Sequence, residues 1–279
     1  IFSKVLTMIK NKTIVKNDFL NEQYIKIDHS SGLTVYLIEK NMSTSYAILA
    51  TNFGSMDNVI SSDEETIMLP DGIAHFLEHK MFEQPDGSDA FERFSLYGGS
   101  ANAYTTFDKT CYLFSCTDCL YENLDILLDF VSTPAFNDRS VDKEKGIISQ
   151  EIVMGNDDPG HVVFNNMLQC MYHNSPIMID VAGSVESISK IDSKTLFDTY
   201  YRFYSPSNMV LCLCGSFEVD KVIELCDKYY SKLENDIPAL FVKEKVEEPI
   251  CIKEKESFQK MLVAQPIFSI GFKGKNFSD

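Results

Sequence analysis

The stretch His75-Phe76-Leu77-Glu78-His79 limits what this chain can be more than any other. On a helix each residue turns by about 100°, so His75, Glu78 and His79 share one face. Two imidazoles four positions apart can grip one metal ion. A carboxylate one residue before the second imidazole can reach water beside that ion. The order H-x-x-E-H inverts the commoner H-E-x-x-H and predicts a zinc peptidase site. Chance is a weak rival, because the chain holds only five histidines in 279 residues. The structural alternative is a pair of satisfied histidines on a half-buried helix. The rest of the sequence favours the metal, because it supplies what the pair would lack.

A catalytic zinc takes about three protein ligands and keeps one position for water. The third ligand must come from elsewhere. Ser140 is expected to open a helix from Val141 to Met154, in which Glu144 and Glu151 differ by only about 20° around the axis. Ile147, Ile148 and Ile152 lie beside them. Half-buried carboxylates need a partner, and a cation is one. Glu151 is therefore taken as the third ligand, with Glu144 beside it to orient a ligand or the peptide. A zinc ion brings the pKa of its water near neutrality. Glu78, left unliganded, is then the general base that takes the proton and later passes it to the departing amine.

Along the chain, Gln23 to Asp28, Leu33 to Glu39 and Ser45 to Phe53 read as strands, with Ser30-Ser31-Gly32 turning the first into the second. Asp63-Glu64-Glu65 reads as a solvated loop. Pro70-Asp71-Gly72 opens the histidine helix with Asp71 as N-cap, and Ile73, Phe76, Leu77 and Met81 should face the core. Ser88 is expected to cap a helix from Asp89 to Tyr97 that Gly98-Gly99 stops. Residues 100–107 and 110–115 form a hairpin about Asp108-Lys109. The first of these strands, near the metal, is either an ordinary inner strand or an edge that pairs with an extended peptide. Helices follow at Leu120 to Val131, Gly160 to Tyr172, Lys194 to Arg202 (capped by Asp192 or Ser193) and Val219 to Leu233, with a strand at Asn208 to Cys214. His161 and His173 lack ligand spacing to anything and are read as local.

The boundaries expected are a catalytic domain over 1–233, a charged linker over 234–260, and at 261–279 the start of a second, truncated unit, with Met261 to Phe272 strand-like. The full protein is expected to continue, and with no initiating Met its true start is taken to be missing. No secretory signal is read at the N-terminus. A net charge of −16 argues against nucleic acid as partner. No apolar run is long enough to span a bilayer. The eight cysteines are scattered in a long chain. Cys212 and Cys214 are too constrained to pair, and Cys116-Thr-Asp-Cys119 has no second C-x-x-C to make a zinc ribbon. Packed, reduced thiols in the cytoplasm are the default reading.

His75-Phe-Leu-Glu78-His79 with Glu144 and Glu151 resembles the pitrilysin/insulinase family of inverted-motif zinc peptidases. Pro70-Asp-Gly-Ile-Ala74, Ser100-Ala-Asn-Ala-Tyr104 and Tyr204-Ser-Pro-Ser-Asn-Met209 carry the same resemblance, which spans about residues 20–235. It is closest to bacterial members similar to mitochondrial processing peptidase. The resemblance implies an α+β fold with one largely antiparallel or mixed sheet and helices packed on it. It implies zinc held by His75, His79 and Glu151, Glu78 as base, and Glu144 as an auxiliary acid. It also implies that Asn102 and Ala103 lie on a strand that pairs with substrate. Family members close a chamber with a second half that contributes an Arg and a Tyr. No matching segment is visible here, so a second half or a partner subunit, in a homo- or hetero-dimer, is expected to close the chamber. The function expected is a zinc endopeptidase acting on extended or unfolded peptides. The alternative is a non-catalytic, peptide-binding partner subunit of a heteromeric processing peptidase.

Overall fold

The computed structural model describes residues 8–61, 66–231, 242–243 and 246–274. The acidic loop Asp63-Glu64-Glu65, the end of the helix expected to reach Leu233, part of the linker and the last five residues lie outside them. Ten strands are described: β1 (Ile9–Asn17), β2 (Glu22–His29), β3 (Thr34–Glu39), β4 (Ser45–Thr51), β5 (Val59–Ser61), β6 (Thr66–Met68), β7 (Ser100–Thr105), β8 (Thr110–Cys116), β9 (Met209–Gly215) and β10 (Val242–Lys243). The helices are α1 (Ile73–Met81), α2 (Ala90–Leu96), α3 (Leu120–Ser132), α4 (Asp138–Asp157), α5 (Pro159–Met171), α6 (Val185–Ile188), α7 (Ser193–Phe203) and α8 (Val219–Tyr230).

The expected mixed α+β architecture is present. A seven-stranded sheet runs β1-β2-β3-β9-β4-β8-β7, and β10-β5-β6 form a small second sheet. Among the described residues only the β3–β9 pair is parallel; β9 returns from far along the chain to slot between β3 and β4. In β4 and β9 every second residue is buried. That alternation puts one sheet face under the helices and leaves the other half-exposed. Phe82, Phe94, Tyr112 and Phe130 fill the space between helices and sheet, with Phe82 and Phe130 stacked at 5.1 Å. The leucine stripe of α3 is buried as its spacing predicted.

Four expectations fail locally. Asp71 does not cap α1; its carboxylate accepts from Asn58 Nδ2 at 3.0 Å, and the cap position is Gly72 at φ +88°. Ser88 does not cap α2; its hydroxyl donates to Asp86, and Asp89 accepts from Phe91 N at 2.8 Å instead. Ser140 lies inside α4, whose cap is Asn137, accepting from Ser140 N at 3.0 Å. At α2 and α4 several capping side chains stood within a few residues and the chain's direction of entry chose among them; at α1 the left-handed turn at Gly72 leaves no side-chain cap. Finally, Met261 to Phe272 is not a strand. A strand needs a neighbour for its backbone groups, and no strand pairing of these residues occurs among the described ones. Instead this region lies against α5: Ser269 Oγ donates to Met167 Sδ at 3.1 Å.

The strand β1 was not among the strands expected. It is exposed along nearly its whole length because it pairs with β2 alone.

Candidate metal centre

Gly72 lets the chain turn into α1 while touching another loop. A Cβ there would lie 2.3 Å from Ala182 O, so no side chain fits. Ile73, Phe76, Leu77 and Met81 are buried, which turns His75 and His79 toward a cleft. Lys80, on the far side, is 1% exposed and donates to the Glu83 carboxylate and, at 3.0 Å, to Ser140 Oγ. It ties α1 to the start of α4.

The helix α4 lies mainly on the surface; Val141 and Ile148 are its buried residues. With Ile148 seated in the core, Glu144 and Glu151 turn to the imidazoles. His75 Nε2 is 3.6 Å from Glu151 Oε1, and His79 Nε2 is 3.5 Å from Glu151 Oε2. One donor atom from each of these three residues lies within 4.8 Å of the others. Two donors bound to one zinc at about 2.1 Å and tetrahedral angles sit about 3.4 Å apart. The triad therefore fits that ion.

Glu144 accepts from His79 Nδ1 at 3.0 Å. An ionised carboxylate only accepts, so Nδ1 carries the proton and Nε2 keeps its lone pair for a metal. Burial disfavours the charged form of both partners. Their hydrogen bond and mutual attraction outweigh it, leaving Glu144 below and His79 above the ordinary value. His75 has no such support: its Nδ1 is buried with no partner, and burial, reinforced by the charge of His79, lowers its pKa to about 4. It is a neutral imidazole at neutral pH, the form that binds metal.

Glu78 is 9% exposed. Thr105 Oγ1 donates to it at 2.6 Å. Burial raises its pKa, against the opposing pull of the Thr105 bond and the charge of His79. Two clefts, of about 620 and 560 Å³, meet at Glu78 and Ala103. Asn102 and His79 line the larger; His75, Glu151, His161 and Asp180 line the smaller.

The strand β7 is one edge of the large sheet, the other being β1, as one of the two readings expected. Asn102 and Ala103 face opposite ways along it, and the Asn102 carboxamide accepts from Ala103 N at 2.9 Å. The structure brings His75, Glu78, His79, Glu144 and Glu151 into one place and adds Thr105, which the sequence did not single out. The period of two could have found it, since Thr105 shares the face of Ala103. His161, expected to be local, stands in the cleft wall. Its partner Asp180 is nineteen residues away, a spacing no helix or strand period signals.

The family model described as Insulinase (Peptidase family M16) matches residues 34–184, and that of the Peptidase M16 inactive domain matches 190–279. The uncharacterized zinc protease YmfH of Bacillus subtilis is 43% identical over 88% of this chain and 58% of its own length. A Rickettsia felis zinc protease is 29% identical over 76% of this chain and 52% of its own. The chain thus spans about half the length of the curated relatives it matches. An M16-like peptidase from Alicyclobacillus acidocaldarius superposes with TM-score 0.77 at 39% identity, over 88% of this chain and 55% of that one. Pitrilysin shares the fold, at TM-score 0.69 and 20% identity, over 86% of this chain and 25% of its own. With its inverted motif inside a match covering more than half of its length, the chain belongs to the insulinase, or M16 peptidase, family.

Proposed function

We propose that this chain is the metal-bearing half of a zinc endopeptidase that cleaves extended or unfolded peptides. The observation that carries the reading is the convergence of His75, His79 and Glu151 within bonding reach of one ion, with Glu78 beside them and free of that set. A zinc ion held there supplies Lewis acidity to water and to the scissile carbonyl. Glu78 takes a proton from the attacking water and returns it to the leaving amine. Burial raises its pKa, which strengthens it as a base. Glu144 holds the His79 ring and its tautomer.

The substrate lies along β7, an edge whose outward backbone groups offer hydrogen bonds to any sequence, with the Asn102 carboxamide releasing the Ala103 N–H it now holds. A second half or partner subunit closes the cleft. Phe258, Leu262, Phe268 and Phe272 are exposed, an apolar surface that a further unit would cover. The eight cysteines are free, which supports a reducing cytoplasm. No helix among the described residues is long and apolar enough to cross a membrane.

The test is metal analysis with peptide cleavage on the full-length protein. Glu78→Gln should keep zinc and lose turnover. Glu151→Ala should lose zinc. Glu144→Gln should cost more activity than metal. Cleavage retained by Glu78→Gln, or full zinc occupancy in Glu151→Ala, refutes the assignment. A parent protein that binds zinc and peptide without cleaving is the non-catalytic partner instead.

A further inference from the structure

The three ligands come from two helices, and α4 has little to hold it. Its start is tied to α1 through Lys80 and Ser140, but Glu151 sits toward the other end, beyond its last fully buried residue, Ile148. At that end α4 breaks at Asp158, whose carboxylate caps α5 by accepting from His161 N at 2.8 Å. The His161 ring then lies close against the last turn of α4, just past Glu151: a Cβ on Gly155 would be 3.3 Å from both Cδ2 and Nε2. From there the contacts lead to α1 without a gap. His161 Nε2 donates to Asp180 Oδ2, which also accepts from Asn165 Nδ2 at 2.7 Å. Asp180 Oδ1 accepts from Ala182 N at 2.9 Å. The Ala182–Gly183 loop meets Asp71–Gly72 so closely that a Cβ on Gly183 would lie 2.4 Å from Asp71 O. Ser187 Oγ adds a bond to Asp71 O at 2.8 Å.

We propose that His161 and Asp180 are positioning residues for the metal. They form a latch that clamps the Glu151 end of α4 to the entrance of α1 and so sets the gap between the glutamate and the two imidazoles. The proposal rests on Glu151 being a ligand. Partners that orient a metal ligand typically contribute 10- to 100-fold in affinity, and a latch acting through backbone belongs at the lower end of that range.

The experiment measures zinc dissociation constants by competition with a chromophoric chelator on the full-length protein, together with the visible spectrum of the cobalt(II) form. His161→Ala should weaken zinc about tenfold and shift the cobalt bands. Asp180→Asn should do the same without a change in volume. A carboxamide has one acceptor, so it cannot serve both Ala182 N and the His161–Asn165 side. The double variant should be no weaker than the worse single one, because both break the same bridge. His161→Gln, whose amide nitrogen reaches where Nε2 stood, should recover most of the loss; a merely structural packing role would not be rescued this way. Should His161→Ala fail to fold by circular dichroism, Asp180→Asn decides. Zinc constants within twofold of the parent in the folded variants, while Glu151→Gln loses zinc, overturn the latch alone. Zinc unchanged in Glu151→Gln overturns both the latch and the ligand assignment.

Discussion

Thr105→Val tests the reading of Glu78 at its most exposed point. The substitution keeps the shape of the side chain and deletes one hydroxyl. That hydroxyl donates to the Glu78 carboxylate at 2.6 Å in a site where Glu78 is 9% exposed. A hydrogen bond to a charged group contributes about 1.5–3 kcal/mol, which at about 1.36 kcal/mol per unit is about 1–2 pKa units. The Thr105 backbone also favours the ionised form and survives the substitution, so the lower end applies, about one unit. The sign is fixed: the bond stabilises the carboxylate, so losing it raises the Glu78 pKa above its already raised value. Less of the base is ionised at a given pH, and the acid limb of the kcat/KM profile moves up by about one pH unit. The assay is cleavage of a fluorogenic peptide from about pH 5 to 9 by zinc-loaded parent and variant. Zinc content is measured in both, because a limb that moves through metal loss means nothing here. An acid limb that stays within about 0.3 units, with zinc intact, removes Glu78 from the proton transfer.

Gly72→Ala should destabilise the fold. A left-handed φ of +88° costs alanine about 1–2 kcal/mol, and its Cβ would press into Ala182 O at 2.3 Å, which adds to that; an unchanged urea midpoint would show that the turn relaxes freely. The attachment of the C-terminal segment should fail in acid. Glu248 accepts from the backbone of His173, Asn174 and Ser175 and from Lys273 Nζ, and although burial opposes it these bonds lower its pKa from 4.5 to about 2. A depressed folded-state pKa stabilises fully above the ordinary value and is lost as pH falls through the folded one. Hydrogen exchange at the Asn174 and Ser175 amides should therefore lose protection as pH drops from about 4.5 toward 2, and protection unchanged across that window would refute the contact.

The residues of the metal centre were legible because their chemistry has a period. His75 and His79, and then Glu144 and Glu151, recur at helical spacing, so each pair declares its own face before any fold is known. The strands β2, β3, β4, β8 and β9 were equally plain, since short apolar, β-branched and aromatic runs bounded by turn residues mark a strand. The caps were not, because Ser88 and Ser140 compete with neighbours of nearly equal propensity and the entering chain decides, while beside Asp71 the left-handed turn at Gly72 leaves no side-chain cap.

What the sequence alone supplied was the candidate ligand set and base, from helical spacing, and the class of fold, through the family resemblance that those motifs carry. Only the tertiary structure decided how two separate helices meet at one ion. It placed β7 at an open edge, Thr105 against Glu78, and His161 with Asp180 in the cleft wall. Those contacts join residues far apart along the chain through loops and through positions without side chains, such as Gly72, Gly155 and Gly183. A close approach of two backbones leaves no periodic mark in either segment, so it becomes visible only once the chain is folded.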